Sequence, residues 1–132
     1  MKLAKTLFVA ALLVAGMACG YSSKPTTPPS VGTMPTIAAL VPASTTAGMS
    51  LGTNGLMVTG TNFNSNATIN WNGTVLTTAR VSGTQLTATV PDADTATAGT
   101  FQVTVTNPGT PGGQYGGGTA AETSNMMTFT VN

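Results

Sequence analysis

This chain has no histidine, a single cysteine and very little charge, with four Lys and Arg against three Asp and Glu in 132 residues. Without histidine no Ser-His-Asp or Cys-His relay can form, and the commonest general base is missing. The acids are Asp92, Asp94 and Glu122. Asp92 and Asp94 share one loop, an arrangement poorly suited to flanking a glycosidic bond. The same pair could offer oxygens to Ca²⁺, but such a site takes about six to eight oxygen ligands and no further acid lies nearby in sequence. Solvated turn carboxylates are the plainer reading, so the sequence points to no catalytic residue, no metal site and no cofactor. Clustered Lys and Arg, which displace counterions from phosphates, are also lacking, and this excludes a DNA or RNA partner.

What is present begins with a processing signal. Lys2 and Lys5 precede an apolar run over residues 7–15, and Gly16-Met17-Ala18 supplies small residues before Cys19. The run is shorter than the roughly 20 residues that span a bilayer core. The arrangement resembles a bacterial lipoprotein signal, in which the cysteine is lipidated and becomes the first mature residue. That pattern usually carries Leu three residues before the cysteine, where this chain has Gly16. Gly16-Met17-Ala18 is equally a small-x-small site for an ordinary signal peptidase, which would leave Cys19 as a free thiol on a secreted protein. Lipidation is the expectation adopted, because the sole cysteine stands at the first mature position, where it has no disulfide partner. Loss of residues 1–18 leaves Lys24 and Arg80 against the three acids, a formal net charge of −1. The expected location is the cell envelope, lipid-anchored and either surface-exposed or periplasm-facing.

Residues 19–34 read as the lipidated cysteine followed by an extended tether. Pro25, Pro28 and Pro29 lie among Ser and Thr with no apolar periodicity, which favours a polyproline-like course. From Pro35 to the end the pattern becomes short alternating runs between turn residues. Strands are predicted over 36–40, 56–60, 68–71, a return through Val75 and Leu76, 85–90, 101–106 and 127–131. Leu56 and Val58, then Ile69 and Trp71, then Phe101, Val103 and Val105 take the inward positions. The same alternation makes Trp71 a core residue in preference to a sugar-stacking platform. Asn72-Gly73 supplies the pair that best tolerates positive φ at both centres of a type I′ turn. About seven short strands without helical period indicate an all-β sandwich.

The order of motifs then becomes specific. Pro35-Thr36-Ile37 with Leu40-Val41-Pro42 opens the domain, and Val58-Thr59-Gly60-Thr61-Asn62-Phe63 follows. Trp71-Asn72-Gly73, Leu86 through Val90-Pro91, Val103-Thr104-Val105-Thr106-Asn107 and Phe129-Thr130-Val131 complete the series. Over residues 35–132 this resembles an IPT/TIG domain, which implies an immunoglobulin-like β-sandwich. The connection over residues 108–119 is longer and richer in glycine than the family's usual link, and it carries Gln114 and Tyr115. A lone aromatic among glycines resembles a contact loop of an antibody-like surface, and Gln114 and Tyr115 are the candidate binding loop. A floppy insertion at the tip is the competing, and plainer, reading of the same stretch.

The expected function is a non-catalytic cell-surface lipoprotein that presents one IPT/TIG domain for binding or adhesion. Its partners would be the membrane, through the lipid anchor, and a protein or glycan ligand. The alternative is a self-associating subunit of an extracellular fibre or layer, since Thr-rich, uncharged strand edges permit sheet-to-sheet addition.

Overall fold

The computed structural model describes residues 28–53 and 55–132. The signal-like segment 1–18, Cys19 and the tether as far as residue 27 lie outside the described residues. Among the described residues ten strands form: β1 (Thr36–Val41), β2 (Ser44–Thr45), β3 (Leu56–Thr61), β4 (Thr68–Trp71), β5 (Thr74–Val75), β6 (Thr77–Ser82), β7 (Gln85–Thr89), β8 (Gly99–Asn107), β9 (Glu122–Thr123) and β10 (Met127–Val131). One four-stranded sheet runs β1-β3-β7-β6, and a six-stranded sheet runs β2-β10-β8-β4-β5 with β9 paired to β8. The two-layer sandwich expected from the alternation is therefore present. Ser44 and Thr45 of β2 pair parallel with β10, and the remaining ladders are antiparallel.

The inward phase of each strand builds one core. Leu56, Val58 and Leu86 from the first sheet meet Ile69, Val103, Val105 and Phe129 from the second, all fully buried. Each such side chain contributes about 1.5–3 kcal/mol of hydrophobic transfer free energy. Trp71 stacks on Phe101 at a centroid distance of 5.1 Å and tilts against Phe129 at 5.0 Å, which gives the second sheet an aromatic cluster. Phe101 is only half-buried, because it lies near one end of that cluster. Asn72 and Gly73 take φ of 47° and 89°, the positive pair that a type I′ turn between β4 and β5 requires.

Four elements depart from the sequence reading. Residues 77–82 show no alternation and are not predicted as a strand, yet they form β6, an edge strand exposed at Thr77, Ala79, Arg80 and Val81. Burial cannot impose a period on a strand that is mostly solvated on both faces. The two-residue strands β2 and β9 carry too few positions to show a period. Asp92–Asp94 forms a single 3-10 turn after Pro91 where no helix is expected.

Side chains fasten the margins of the sandwich, one of them at a sheet edge. Asn125 sets its amide against the β1 backbone, accepting from Ile37 N at 2.8 Å and donating to Ile37 O at 3.1 Å. On β6, Thr78 Oγ1 accepts from Ile69 N at 2.9 Å, and Arg80 Nε donates to Phe63 O at 3.3 Å. Of these, the Asn125 amide occupies groups that a strand added at β1 would need, while Thr78 and Arg80 tie β6 to β4 and to the β3–β4 loop.

Candidate functional site

The glycine-rich connection over residues 108–121 is a paired hairpin. Thr110 and Thr119 exchange both backbone bonds, at 3.0 and 3.1 Å, and their hydroxyls meet at 3.0 Å. Gly113 and Gly116 exchange a second pair at 3.0 Å each, which leaves Gln114 and Tyr115 as the two turn residues. The glycines are required by the close approach of the two arms. Gly116, Gly117 and Gly118 hold φ near +90°, in the left-handed half of backbone space that side chains disfavour. A Cβ on Gly118 would also lie 2.3 Å from Thr110 O. The stretch is therefore a paired hairpin in this structure.

The tether joins this hairpin. Ser30 pairs parallel with Thr119, donating from its N to Gly118 O at 3.0 Å and accepting from Ala120 N at 2.9 Å. Its hydroxyl also donates to Gly118 O. Below the hairpin, Asn107 is buried and uses its whole amide. Nδ2 donates to Thr33 O at 2.8 Å and Asn62 O at 2.7 Å, while Oδ1 accepts from Asn64 N at 3.0 Å. Asn62, at φ 62°, in turn donates from Nδ2 to Met34 O. One end of the sandwich thus gathers the tether, the β3–β4 loop, the end of β8 and the hairpin root.

The structure separates the other sequence candidates from this end. Asp92 and Asp94 lie in the 3-10 turn at the opposite pole, where Thr95 O accepts from Gly48 N and Thr95 Oγ1 donates to Met49 O. Among the described residues no group of three His, Cys, Asp or Glu could hold a metal ion. Trp71 is buried in the core, which removes it as a sugar platform. A shallow depression of about 150 Å³ lies against β6 and β7, lined by Thr53, Thr77, Ala79, Thr87 and Thr89, with no ionisable group. Cys19 lies outside the described residues. Asn107 is the structural anchor that the sequence reading did not single out. Its signal was available, since alternation through Val103 and Val105 places a polar amide at the next inward position, where it needs partners.

Two facing sheets, the Gly60-Thr61-Asn62-Phe63 corner and the β4–β5 turn carry the expected domain pattern, and residues 35–131 match the IPT/TIG domain. The chain belongs to the IPT/TIG family. The family matched is a non-catalytic domain, and its span ends one residue short of the last residue of the chain. No curated protein and no solved structure matches the chain. Within this IPT/TIG domain the match begins at Pro35, whereas hydrogen bonding to the sandwich already begins at Ser30.

Proposed function

We propose that this IPT/TIG protein is a non-catalytic lipoprotein of the cell envelope, anchored through Cys19, that presents its single domain for binding or adhesion. The observation that carries this reading is the distribution of chemistry. Among the described residues no titratable side chain is buried, and the buried polar groups are Thr95, Asn107 and Ser124. Each of these three bonds to backbone: Thr95 to Met49 O, Asn107 to Thr33 O and Asn62 O, Ser124 to Val105 N. General acid and base work needs ionisable groups in a shielded cleft, and the interior supplies hydrocarbon and satisfied amides instead. What is turned outward is Thr, Asn and Gln on the sheet faces, and a hairpin that holds Gln114 and Tyr115 away from the core.

A protein or glycan ligand suits such a hydroxyl- and amide-bearing exterior, with Gln114 and Tyr115 as the candidate contact loop. The Asn125 amide favours display over the fibre alternative, because it occupies Ile37 N and O on the β1 edge, through which a neighbour's strand would add. Mass spectrometry of the membrane fraction tests the anchor. A mature chain starting at acylated Cys19 is expected, and an unmodified Cys19 or another start overturns it. Electron microscopy of the concentrated mature protein tests display against assembly. Dispersed monomers are expected, and ligand-free ordered filaments would establish the fibre instead.

A further inference from the structure

We propose that the tether end of the domain rests on the lipid surface, with Tyr115 at the hairpin tip and Val31, Met34 and Met126 around its root in contact with the membrane interface. This deepens the reading above, names the partner of the Gln114-Tyr115 loop, and rests on attachment through Cys19. Four large apolar or aromatic side chains are strongly exposed at this one end: Val31 84%, Tyr115 67%, Met34 58% and Met126 56%. Their placement follows from the hydrogen bonds already described. Ser30 pairs with the hairpin, Met34 O accepts from Asn62, and Asn125, next to Met126, clasps Ile37 at the start of β1. Of the other exposed hydrophobics, Val81 follows Arg80 on β6, while Val41, Met49 and Val75 lie on β1, the β2–β3 connection and β5.

The occupant of this end follows from where the chain goes. From Ser30 the sequence leads back to Cys19 in eleven residues, which at about 3.1 Å per residue span at most some 34 Å. The fixed pairing of Ser30 makes the hairpin the part of the domain that the anchor brings to the bilayer first. Anchoring also makes the contact intramolecular, with an effective concentration in the millimolar range for a short linker, so a few apolar side chains suffice without high intrinsic affinity. Tyrosine and methionine side chains suit the boundary between headgroups and acyl chains. The hairpin backbone is equipped for that boundary as well, because the Thr110–Thr119 and Gly113–Gly116 pairs satisfy one another's N–H and C=O groups.

Electrostatics make the prediction narrower. The acidic and basic side chains described at this end are Glu122 of β9 and Arg80, whose Nε is directed to Phe63 O. One charge of each sign gives no attraction to anionic headgroups, so the contact is apolar and indifferent to lipid charge.

The test uses the mature chain from Cys19 carrying Tyr115→Trp, coupled through its single thiol to a maleimide lipid in phosphatidylcholine vesicles. Chemical coupling makes the result independent of natural acylation, which mass spectrometry decides separately. The resident Trp71 is buried, so acrylamide reports chiefly on position 115. On vesicles, acrylamide quenching at position 115 is expected to be lost and quenching by brominated lipid gained. Replacing phosphatidylcholine partly by phosphatidylglycerol, or raising the salt, should leave both unchanged. Adding Val31→Ser, Met34→Ser and Met126→Ser should restore acrylamide access without lowering Tm. Persistent acrylamide quenching on the vesicle overturns the proposal. So does protection that rises with protein density without bromolipid quenching, which would identify a second copy as the occupant.

Discussion

Asn107 does more for the architecture than any other polar residue described. It ties three chain segments that are distant in sequence, and its truncation removes the partner of two carbonyls and one N–H in part-buried bonds. Unsatisfied buried groups cost about 1–3 kcal/mol each, with partial relaxation expected. Asn107→Ala should therefore cost about 2–4 kcal/mol, which thermal unfolding followed by circular dichroism would register as a Tm lowered by about 10 °C or more. Trp71 makes the contrasting case, because its Nε1 is buried without a partner among the described residues. Trp71→Phe forfeits no hydrogen bond and keeps an aromatic beside Phe101 and Phe129, so about 1 kcal/mol is expected against about 3–5 for Trp71→Ala. Equal losses for the two variants in urea unfolding would show that the indole N–H matters. Residue-level legibility in the sequence followed the same line. The inward positions Leu56, Val58, Ile69, Trp71, Val103 and Val105 are all buried, since alternation reports on burial directly. Asn107 sat in the same phase, but periodicity alone does not say which backbone groups an inward amide will meet.

At the scale of elements, strands with one buried face were legible and strands without one were not. β4 and β10 coincide with their expected limits, and β3, β7 and β8 differ from theirs by one or two residues at an end. β6 escaped because its side chains are mostly solvated, and β2 because two residues define no period. The hairpin was read only as a glycine-rich connection. Its order comes from backbone pairing between Thr110 and Thr119 and from Ser30, contacts that leave no hydrophobic pattern behind. The edge plug at Asn125 belongs to this scale too. Asn125→Ala would bare Ile37 N and O on β1, and analytical ultracentrifugation should then show concentration-dependent association that the parent protein lacks. An unchanged monomer would mean that the β1 bulge between Ile37 and Ala39 already blocks addition.

At the scale of the whole molecule, the scarcity of charge becomes a physical property. The ionisable side chains among the described residues are Arg80, Asp92, Asp94, Tyr115 and Glu122, and stability must come from burial and backbone pairing. Exposed ion pairs are the contacts that salt screens, so Tm between low salt and about 0.5 M NaCl should move by less than about 2 °C. A larger shift in differential scanning calorimetry would indicate an electrostatic contribution that the fold does not display. Fold class and family were readable from sequence because a β-sandwich writes its period into the chain. The arrangement of residues 30–34 against the hairpin was not, because it depends on which segments meet after folding.

The clasp of residues 30–34 also makes the domain a mechanical device. Tension from the Cys19 side reaches Ser30 first, then the carbonyls of Thr33 and Met34, and only afterwards the β1–β3 ladder. These small attachments lie in series ahead of the core, so they release before it. Five freed residues lengthen the leash by about 17 Å at roughly 3.4 Å each. Under shear the tether would yield and the sandwich would stay whole, and a short extension step preceding unfolding in a single-molecule pull is its expected trace.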